Sequence, residues 1–488
     1  MKTLLHPIPC LAACAGLSTL LLAGAASARA GTITIRTDSA GATPWVAGLN
    51  MGHFETATNA PDIWRYLSPA GARMFIDART IEQTIDSNTD TTAGWGDGVT
   101  DLTTFLARRT AMDANALNAA YINWTYIENR YATANPFGGP GNQLKIAPAL
   151  AELHAQGASI LVNITAGEST FPITSASDWA GKWELWQHYY FQAFYLARYY
   201  DVRRFSMFNE PNHPNANGLT YANWQMRLEL ASDAIQRAIA EVNRRYGKAL
   251  VPSIFAPNTS GNPASGTAWT GWGSPAIANR HLRFDGVTDA SWWNFHHYNY
   301  QSYGGLGSTN GASFATTLDA LQTNIAAAMP GETPFPTAIT EVNSLTGADF
   351  DTTAETLDTP RRYAQLGSIL AHLTAQYCRE IYVFKLAQTT RGAPTNYPVA
   401  KNGLCYTDND SASPTAWRYG GVTQAAEVAR LFYKAAEADR SRPRYDRGGG
   451  LDNLDIMITR DNATGRHWML LVNHDTVTKT VDINTAAL

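Results

Sequence analysis

The feature of this chain that most restricts its fold is a repeated alternation of short apolar runs with longer amphipathic segments. Eight runs have the length of a β-strand, and several are apolar almost throughout, which is typical of strands buried on both faces. Amphipathic stretches such as Lys182–Tyr200 and Tyr221–Tyr246 separate them. The eight runs are Gly48–Glu55, Met74–Arg79, Ile160–Thr165, Arg204–Asn212, Ser253–Ser260, Trp292–Tyr300, Pro336–Ser344 and Ile381–Thr389. Strands that alternate with helices pair in parallel, so eight such units predict a closed (β/α)8 TIM barrel.

The two ends of the chain are predicted to lie outside the barrel. Residues 1–30 combine a basic Lys2, an apolar stretch and a small-x-small site at Ala28–Ala30, which predicts a signal peptide. A lipoprotein signal at Cys14 is the alternative. Residues 31–37 and 441–488 have strand patterns with turns between them, so we expect a small antiparallel β side domain beside a barrel of residues 38–440. The chain stops at Leu488 inside this pattern, which leaves open a longer natural protein.

Composition restricts the compartment and the partners. The net charge is -4 and no basic run occurs, so no nucleic acid partner is expected. No stretch after residue 30 has the roughly 20 unbroken apolar residues of a membrane span. The mature protein is therefore expected to be secreted or periplasmic. Cys378 and Cys405 remain after signal cleavage; an oxidising compartment permits a disulfide, but spacing does not decide it. The oligomeric state is not indicated.

Two carboxylates follow predicted strands. Asn209-Glu210-Pro211 ends the fourth apolar run, and Glu341 ends the seventh. Active sites of parallel barrels lie at the carboxyl ends of the strands, and two carboxylates there are the machinery of glycosidic bond cleavage. Glu210 is therefore predicted to be the general acid/base and Glu341 the nucleophile of a retaining mechanism. The alternative for each is a structural role, as a helix-capping or ion-paired carboxylate.

Other polar residues near strand ends are candidates for substrate binding. The Asn209 amide is expected to bind a hydroxyl beside the reacting carbon. A period of two places Asn294, His296 and Tyr298 on the interior face of the sixth strand, where Tyr298 would donate to the nucleophile and His296 would bind a sugar hydroxyl or orient Glu210. Because His296 and the following histidine point apart, we expect no metal site there. No cofactor is expected. Further candidates are His53, Arg79, Asn163, Trp293 and Lys385, then Asn50, Asp77 and Gln388, with loop platforms at Trp95, Trp269, Trp272 and Tyr303.

These motifs resemble those of the retaining clan A glycoside hydrolases, which are (β/α)8 barrels. The resemblance covers roughly Gly48 to Asp439 and rests on Asn209-Glu210 after the fourth strand, Glu341 after the seventh and His296-x-Tyr298 on the sixth. It implies an acid/base role for the first glutamate and a nucleophilic role for the second. Many members carry a tryptophan at the end of the eighth strand, where this chain has Phe384-Lys-Leu-Ala-Gln388.

Within the clan, two segments resemble family 86, the β-agarases and β-porphyranases. They are Lys401–Tyr406 and Tyr419–Phe432. This resemblance implies an algal galactan such as agarose or porphyran as the polysaccharide or oligosaccharide substrate, whereas families 39 and 30 imply xylosides or other β-linked glycans. A non-catalytic carbohydrate-binding protein on a barrel scaffold is the alternative from another class. A metal-dependent barrel hydrolase is disfavoured because Asn50–His53 contains no His-x-His.

Overall fold

The computed structural model contains a closed barrel, a five-stranded sheet and a two-stranded sheet. It describes residues 31–51, 58–82, 98–118, 121–135, 144–165, 170–213, 219–303, 312–344, 360–375, 378–386, 403–407, 419–437, 439–475 and 477–486. The strands are β1 (Gly31–Ala42), β2 (Val46–Asn50), β3 (Gly71–Asp77), β4 (Ser159–Thr165), β5 (Arg204–Met207), β6 (Ser253–Ser260), β7 (His297–Tyr303), β8 (Thr337–Asn343), β9 (Glu380–Phe384), β10 (Cys405–Thr407), β11 (Tyr419–Val422), β12 (Arg440–Arg447), β13 (Leu454–Asp461), β14 (His467–Asn473) and β15 (Val481–Asn484). The α-helices are α1 (Ala60–Leu67), α2 (Ala78–Ile81), α3 (Leu102–Ala114), α4 (Trp124–Thr133), α5 (Ile146–Ala155), α6 (Trp179–Tyr200), α7 (Tyr221–Tyr246), α8 (Ser274–Ala278), α9 (Ala312–Ala328), α10 (Pro360–Ala375) and α11 (Gln424–Ala435), with a π-helical turn at Ala268–Gly273. Within these residues, none of the helices has both the length and the apolar character needed to cross a membrane.

Strands β2 to β9 close into the predicted parallel barrel. They follow one another around the ring in chain order, and β9 pairs with β2 to complete it. Each of the eight apolar runs overlaps one barrel strand, so the predicted fold class is confirmed. Among the barrel strands, the start of the sixth, β7, differs most from the prediction. It begins at His297, five residues later than predicted, and extends to Tyr303.

The outer layer is held by long helices whose ends are capped by side chains. Helix α6 begins after Asp178, whose carboxylate accepts from the Gly181 N–H, and α7 begins after Thr220, whose hydroxyl accepts from the Asn223 N–H. The aromatic stripe of α6 packs in the outer layer as its helical spacing predicts: Trp183 stacks on Trp186 at 5.1 Å between ring centroids. The helices therefore bury their aromatic faces against one another around the strands.

The side domain is a five-stranded sheet in the order β14-β13-β12-β1-β15. Its neighbouring strands are antiparallel except for the parallel pair β1 and β15. Strand β12, which the sequence pattern did not predict, lies at its centre. One face of the sheet contributes Met457, Leu470 and Val472 to the core of the barrel domain. Beside them, the Asp455 carboxylate accepts hydrogen bonds from residues of α10, so the sheet is attached to the barrel.

The amino-terminal end of the barrel is closed by packed side chains. Five interior residues form a separate apolar cluster: Val46, Leu161, Phe255, Ala338 and Tyr382. Next to it Arg204 is ion-paired with Glu380, and the Tyr382 hydroxyl donates to the same carboxylate at 2.9 Å. In a TIM barrel the amino-terminal end contributes to stability, and the active site lies at the carboxyl end.

Cys378 and Cys405 are buried and free. Cys378 lies just before β9, whereas Cys405 is the first residue of β10. The disulfide that the sequence permitted is therefore not formed. Burial raises the pKa of the Cys378 thiol to about 12, which makes this thiol unreactive at neutral pH.

Candidate active site

Glu341 lies in the carboxyl half of β8 and points into the barrel. Its side chain is completely buried, and so is that of Arg73 on β3. The Arg73 guanidinium donates to Oε1 of Glu341 at 2.5 Å. Gln301 on β7 is the register partner of Glu341. The Glu341 carboxylate therefore lies inside the barrel, where it is held by the guanidinium of Arg73 from a strand that is not adjacent to β8.

Glu210 lies just beyond β5, in a turn with an unusual backbone. Phe208 has φ of 55° and Glu210 has φ of 49°, a left-handed conformation that non-glycine residues rarely adopt. The Asn209 side chain between them accepts at Oδ1 from Arg73 at 3.0 Å and from Gln301 at 2.5 Å. Glu210 itself is half-buried.

One guanidinium therefore connects the two predicted catalytic segments. Arg73 contacts Glu341 with one terminal nitrogen and Asn209 with the other. Since Asn209 precedes Glu210, both glutamates lie at the carboxyl end of the barrel. Asn209 uses its oxygen for these two donors, so its amide nitrogen is turned away from Arg73 and Gln301. That nitrogen is the group expected to donate to a sugar hydroxyl.

Burial and neighbouring charges perturb the protonation of both carboxyl groups. Burial raises the pKa of Glu341 to about 7; Arg73 opposes this effect and repulsion from Glu210 adds to it. Burial also raises the pKa of Glu210, again opposed by Arg73. Raised pKa values at one mouth favour the binding of a proton by one of the two carboxyl groups, and an acid paired with a nucleophile requires one protonated and one ionised group.

A belt of buried amides surrounds this pair. Oδ1 of Asn258, just after the middle of β6, accepts from Asn299 at 2.8 Å, from Gln301 at 3.0 Å and from the Thr340 hydroxyl at 3.3 Å. Its Nδ2 donates to the Phe208 carbonyl, as does Nδ2 of Asn163 on β4 at 3.0 Å. The five side chains of this belt are completely buried: Asn163, Asn258, Asn299, Gln301 and Thr340. The belt joins the strand of the acid/base to the strand of the nucleophile.

The predicted interior positions of His296 and Tyr298 are wrong. Because β7 begins at His297, the residues that face the barrel interior are His297, Asn299 and Gln301: His297 stacks on Phe255 at 4.3 Å, and the other two bond to Asn258. Tyr298 instead packs in the outer layer, 6.1 Å from Trp269.

His296 and Trp293 lie before the strand, at the opposite end of the barrel from Glu341. Nδ1 of His296 accepts from the backbone N–H of Ile254, and Trp293 packs edge-on against Phe335 at 5.4 Å. Phe335 lies two residues before β8. Neither residue contacts the region of the glutamates, so the substrate-binding role predicted for them is not supported by their positions.

The remaining candidates are distributed around the mouth. Asn163 belongs to the amide belt, and Asn50 on β2 donates to the Thr340 carbonyl at 2.9 Å. Lys385 follows β9, and its charge lowers the pKa of Glu341, which places it near that carboxyl group. Arg79 is largely exposed and pairs with Asp77 at 2.8 Å.

The structure describes the side chains of two of the four predicted aromatic platforms, Trp269 and Trp272. Trp272 is almost fully buried and packs edge-on against Trp224 at 5.5 Å, so it is not a sugar platform. Trp269 packs partly buried against the core. His53, Trp95, Gln388 and the first residues of the family 86 segment, 401–402, lie outside the described residues, as does the Tyr303 side chain.

Sequence reasoning missed the residues that organise the site. Arg73 lies one residue before the predicted second strand and Gln301 one residue beyond the predicted sixth. An arginine inside an apolar run was a usable signal, because a cation buried on a strand requires a partner. Nothing in the sequence signalled that Asn258 and Asn299 would meet.

The fold and the site thus define a parallel (β/α)8 barrel with two acidic side chains at its carboxyl mouth. No family model and no curated protein matches the sequence. Solved structures do match. A glucosidase from Croceicoccus marinus shares 13% identity at a TM-score of 0.58, covering 92% of this chain and 78% of that one. A GH30 endoxylanase from Clostridium papyrosolvens shares 12% at 0.51, covering 93% and 87%.

A third similar structure is a family 51 α-L-arabinofuranosidase from Bifidobacterium longum, with 13% identity, a TM-score of 0.51 and coverage of 94% and 88%. These neighbours are named as a glucosidase, an endoxylanase and an arabinofuranosidase, and their similarity supports the barrel fold. At such low identity the likeness extends to the fold alone. The resemblance to family 86 stays a prediction.

Proposed function

We propose that this protein is a secreted, retaining glycoside hydrolase that cleaves β-linked polysaccharides. The observation that carries the proposal is the double contact of Arg73, which ties Glu341 and the residue before Glu210 to one guanidinium. Structural similarity to enzymes named as a glucosidase and an endoxylanase adds support. An algal galactan is the first substrate to test.

In the proposed reaction the two glutamates divide the work. The Glu341 carboxylate attacks the anomeric carbon while Glu210 transfers its proton to the departing glycosidic oxygen, and a covalent glycosyl ester forms on Glu341. Glu210, now ionised, then removes a proton from a water molecule. That water displaces Glu341 from the anomeric carbon, so two inversions retain the configuration.

The surroundings suit each role. Glu341 must be ionised to attack, and the adjacent guanidinium favours its ionised form against the effect of burial. Glu210 must carry a proton, and burial raises its pKa. The Asn209 amide nitrogen would donate to the hydroxyl beside the anomeric carbon, a contact that strengthens in the transition state.

A xylan or β-glucan substrate is the second candidate. It is favoured by the structural similarity to the GH30 endoxylanase and to an endo-β-1,6-glucanase, which aligns at a TM-score of 0.53 with 13% identity. The two candidates differ in the sugar bound at the mouth and share the same chemistry at Glu210 and Glu341.

The test is a screen of the purified protein on agarose, porphyran, xylan and β-glucans, with products measured by size and by the anomeric configuration of the first product. Release of β-configured products that Glu341→Ala abolishes supports the proposal. Binding of one of these glycans without turnover would instead favour the carbohydrate-binding alternative, and α-configured first products would exclude the retaining mechanism.

A further inference from the structure

The backbone that presents Glu210 is held in a conformation that needs external support. The left-handed φ values of Phe208 and Glu210 cost free energy, and residues keep such conformations only where their surroundings determine them. The peptide unit between Phe208 and Asn209 sets how Asn209 and Glu210 leave β5. Whatever fixes the Phe208 carbonyl therefore fixes the direction in which Glu210 enters the mouth.

Two buried amides from the neighbouring strands converge on that carbonyl. Nδ2 of Asn163 donates to it from β4, and Nδ2 of Asn258 donates to it from β6. A main-chain oxygen that accepts from both flanking strands has each of its two lone pairs used. The carbonyl is thus held from both sides of β5.

The orientation of Asn258 is itself determined. Its Oδ1 accepts from three donors, on Asn299, Gln301 and Thr340, so its Nδ2 faces the Phe208 carbonyl. Farther along the same turn, Asn212 and Ser260 exchange two hydrogen bonds at 2.9 Å, which ties the exit of the turn to the end of β6. The segment that carries Glu210 is fastened at its entry and at its exit.

We propose that Asn163 and Asn258 are positioning residues for the acid/base Glu210, acting through the Phe208 carbonyl. This inference rests on the proposed function. Neither residue is assigned a contact with the reacting atoms. Their loss would let the Phe208–Asn209 peptide rotate and would move the Glu210 carboxyl away from the glycosidic oxygen. The nucleophile Glu341, which is held by Arg73 from another strand, would keep its place.

The test compares how strongly each variant depends on leaving-group quality. An aryl glycoside with a dinitrophenyl group departs without a proton, whereas a phenyl glycoside needs acid assistance. We would measure kcat/KM for dinitrophenyl and phenyl β-glycosides of xylose, xylobiose, galactose and glucose, using the sugar that the wild type turns over fastest. The ratio of the two values reports acid catalysis and is insensitive to a uniform loss of folded protein.

The expected result is a selective loss. Because a small displacement of a catalytic group costs up to about 100-fold, we expect Asn163→Ala and Asn258→Ala to lower kcat/KM for the phenyl glycoside about 10- to 100-fold and for the dinitrophenyl glycoside less than about 3-fold. Asn163→Ala leaves Oδ1 of Asn258 and its three donors intact, so it decides the question if Asn258→Ala does not fold.

The matched control is Asn50→Ala. Asn50 is also a buried amide that donates to a main-chain carbonyl, but it does so on Thr340, beside the nucleophile. Asn50→Ala should therefore lower both rates by the same factor. Equal losses on both substrates in Asn163→Ala, or in a folded Asn258→Ala, would overturn the inference. Glu210→Ala serves as the reference: if that variant has an unchanged ratio, the proposed function itself fails.

Discussion

Replacing Arg73 with methionine tests the central contact of the site. Arg73 and Glu341 are both completely buried, and their closest atoms are 2.5 Å apart. Removing one partner of a buried ion pair leaves the other uncompensated, at a cost of about 3–5 kcal/mol. We expect Arg73→Met to lose free energy of unfolding toward this range at alkaline pH, where Glu341 would have to be ionised, and to lose less at neutral pH, where a proton can neutralise Glu341.

The pH dependence of that loss has a definite sign. Without Arg73 the pKa of Glu341 rises above about 7, since the guanidinium opposes the effect of burial. A carboxyl group whose folded pKa exceeds its unfolded value of about 4.3 contributes full stability below that value and loses it as pH rises through the folded pKa. The difference between variant and wild type in urea denaturation should therefore be larger at about pH 8 than at about pH 5.

The pH dependence of kcat should also change in Arg73→Met. The nucleophile must be ionised, so the acidic limb of kcat against pH should move to higher pH, with about a tenfold loss of rate on that limb for each unit of pKa. The double variant Arg73→Met with Glu341→Gln should regain much of the stability, because no buried charge remains.

The matched control is Arg204→Met. Arg204 is ion-paired with the fully buried Glu380 at the opposite end of the barrel, so its loss should reduce stability without moving the acidic limb. If Arg73→Met stays within about 1 kcal/mol of the wild type at both pH values and its acidic limb does not move, the assigned contact between Arg73 and Glu341 is not functional.

Three further predictions address other parts of the molecule. Glu341→Ala should abolish turnover, and azide should restore it with release of a glycosyl azide detectable by mass spectrometry; unchanged activity without azide would exclude the nucleophile assignment. Tyr298→Phe should retain activity and stability within about 0.5 kcal/mol, because no partner of its buried hydroxyl is found among the described residues; a large kinetic defect would favour the interior position that the sequence pattern suggested. Asp455→Asn should have a lower thermal midpoint than the wild type at neutral pH, and the difference should shrink at acidic pH; burial raises the Asp455 pKa, but hydrogen bonds from His372, His474 and Ser368 outweigh it and hold the pKa well below its usual range, so their stabilisation is lost as pH falls. An equal effect at both pH values would contradict this.

The sequence placed Glu210 close to a strand end and Glu341 on the seventh strand because apolar runs are local features, but β8 continues to Asn343, two residues beyond the strand end predicted at Glu341. An apolar run that stops at Asn209-Glu210-Pro211 marks a strand end without any knowledge of its neighbours. The same periodicity failed on the sixth strand, where Trp292–His296 is as rich in aromatic residues as the strand that follows. Alternation gives two faces, and a shift in where the strand starts and pairs exchanges which of them is interior.

What the chain determined by itself is the order of strands and helices, hence the barrel and the end of it that carries acidic groups. What only the tertiary structure decided is which side chains meet there. Arg73, Gln301 and Glu341 come from three strands and Asn209 comes from the turn after β5, and the pairing of the strands around the barrel sets their distances. The burial that raises the pKa of Glu341 and the guanidinium that opposes it exist only once the ring is closed, because both depend on the exclusion of water by residues remote in sequence.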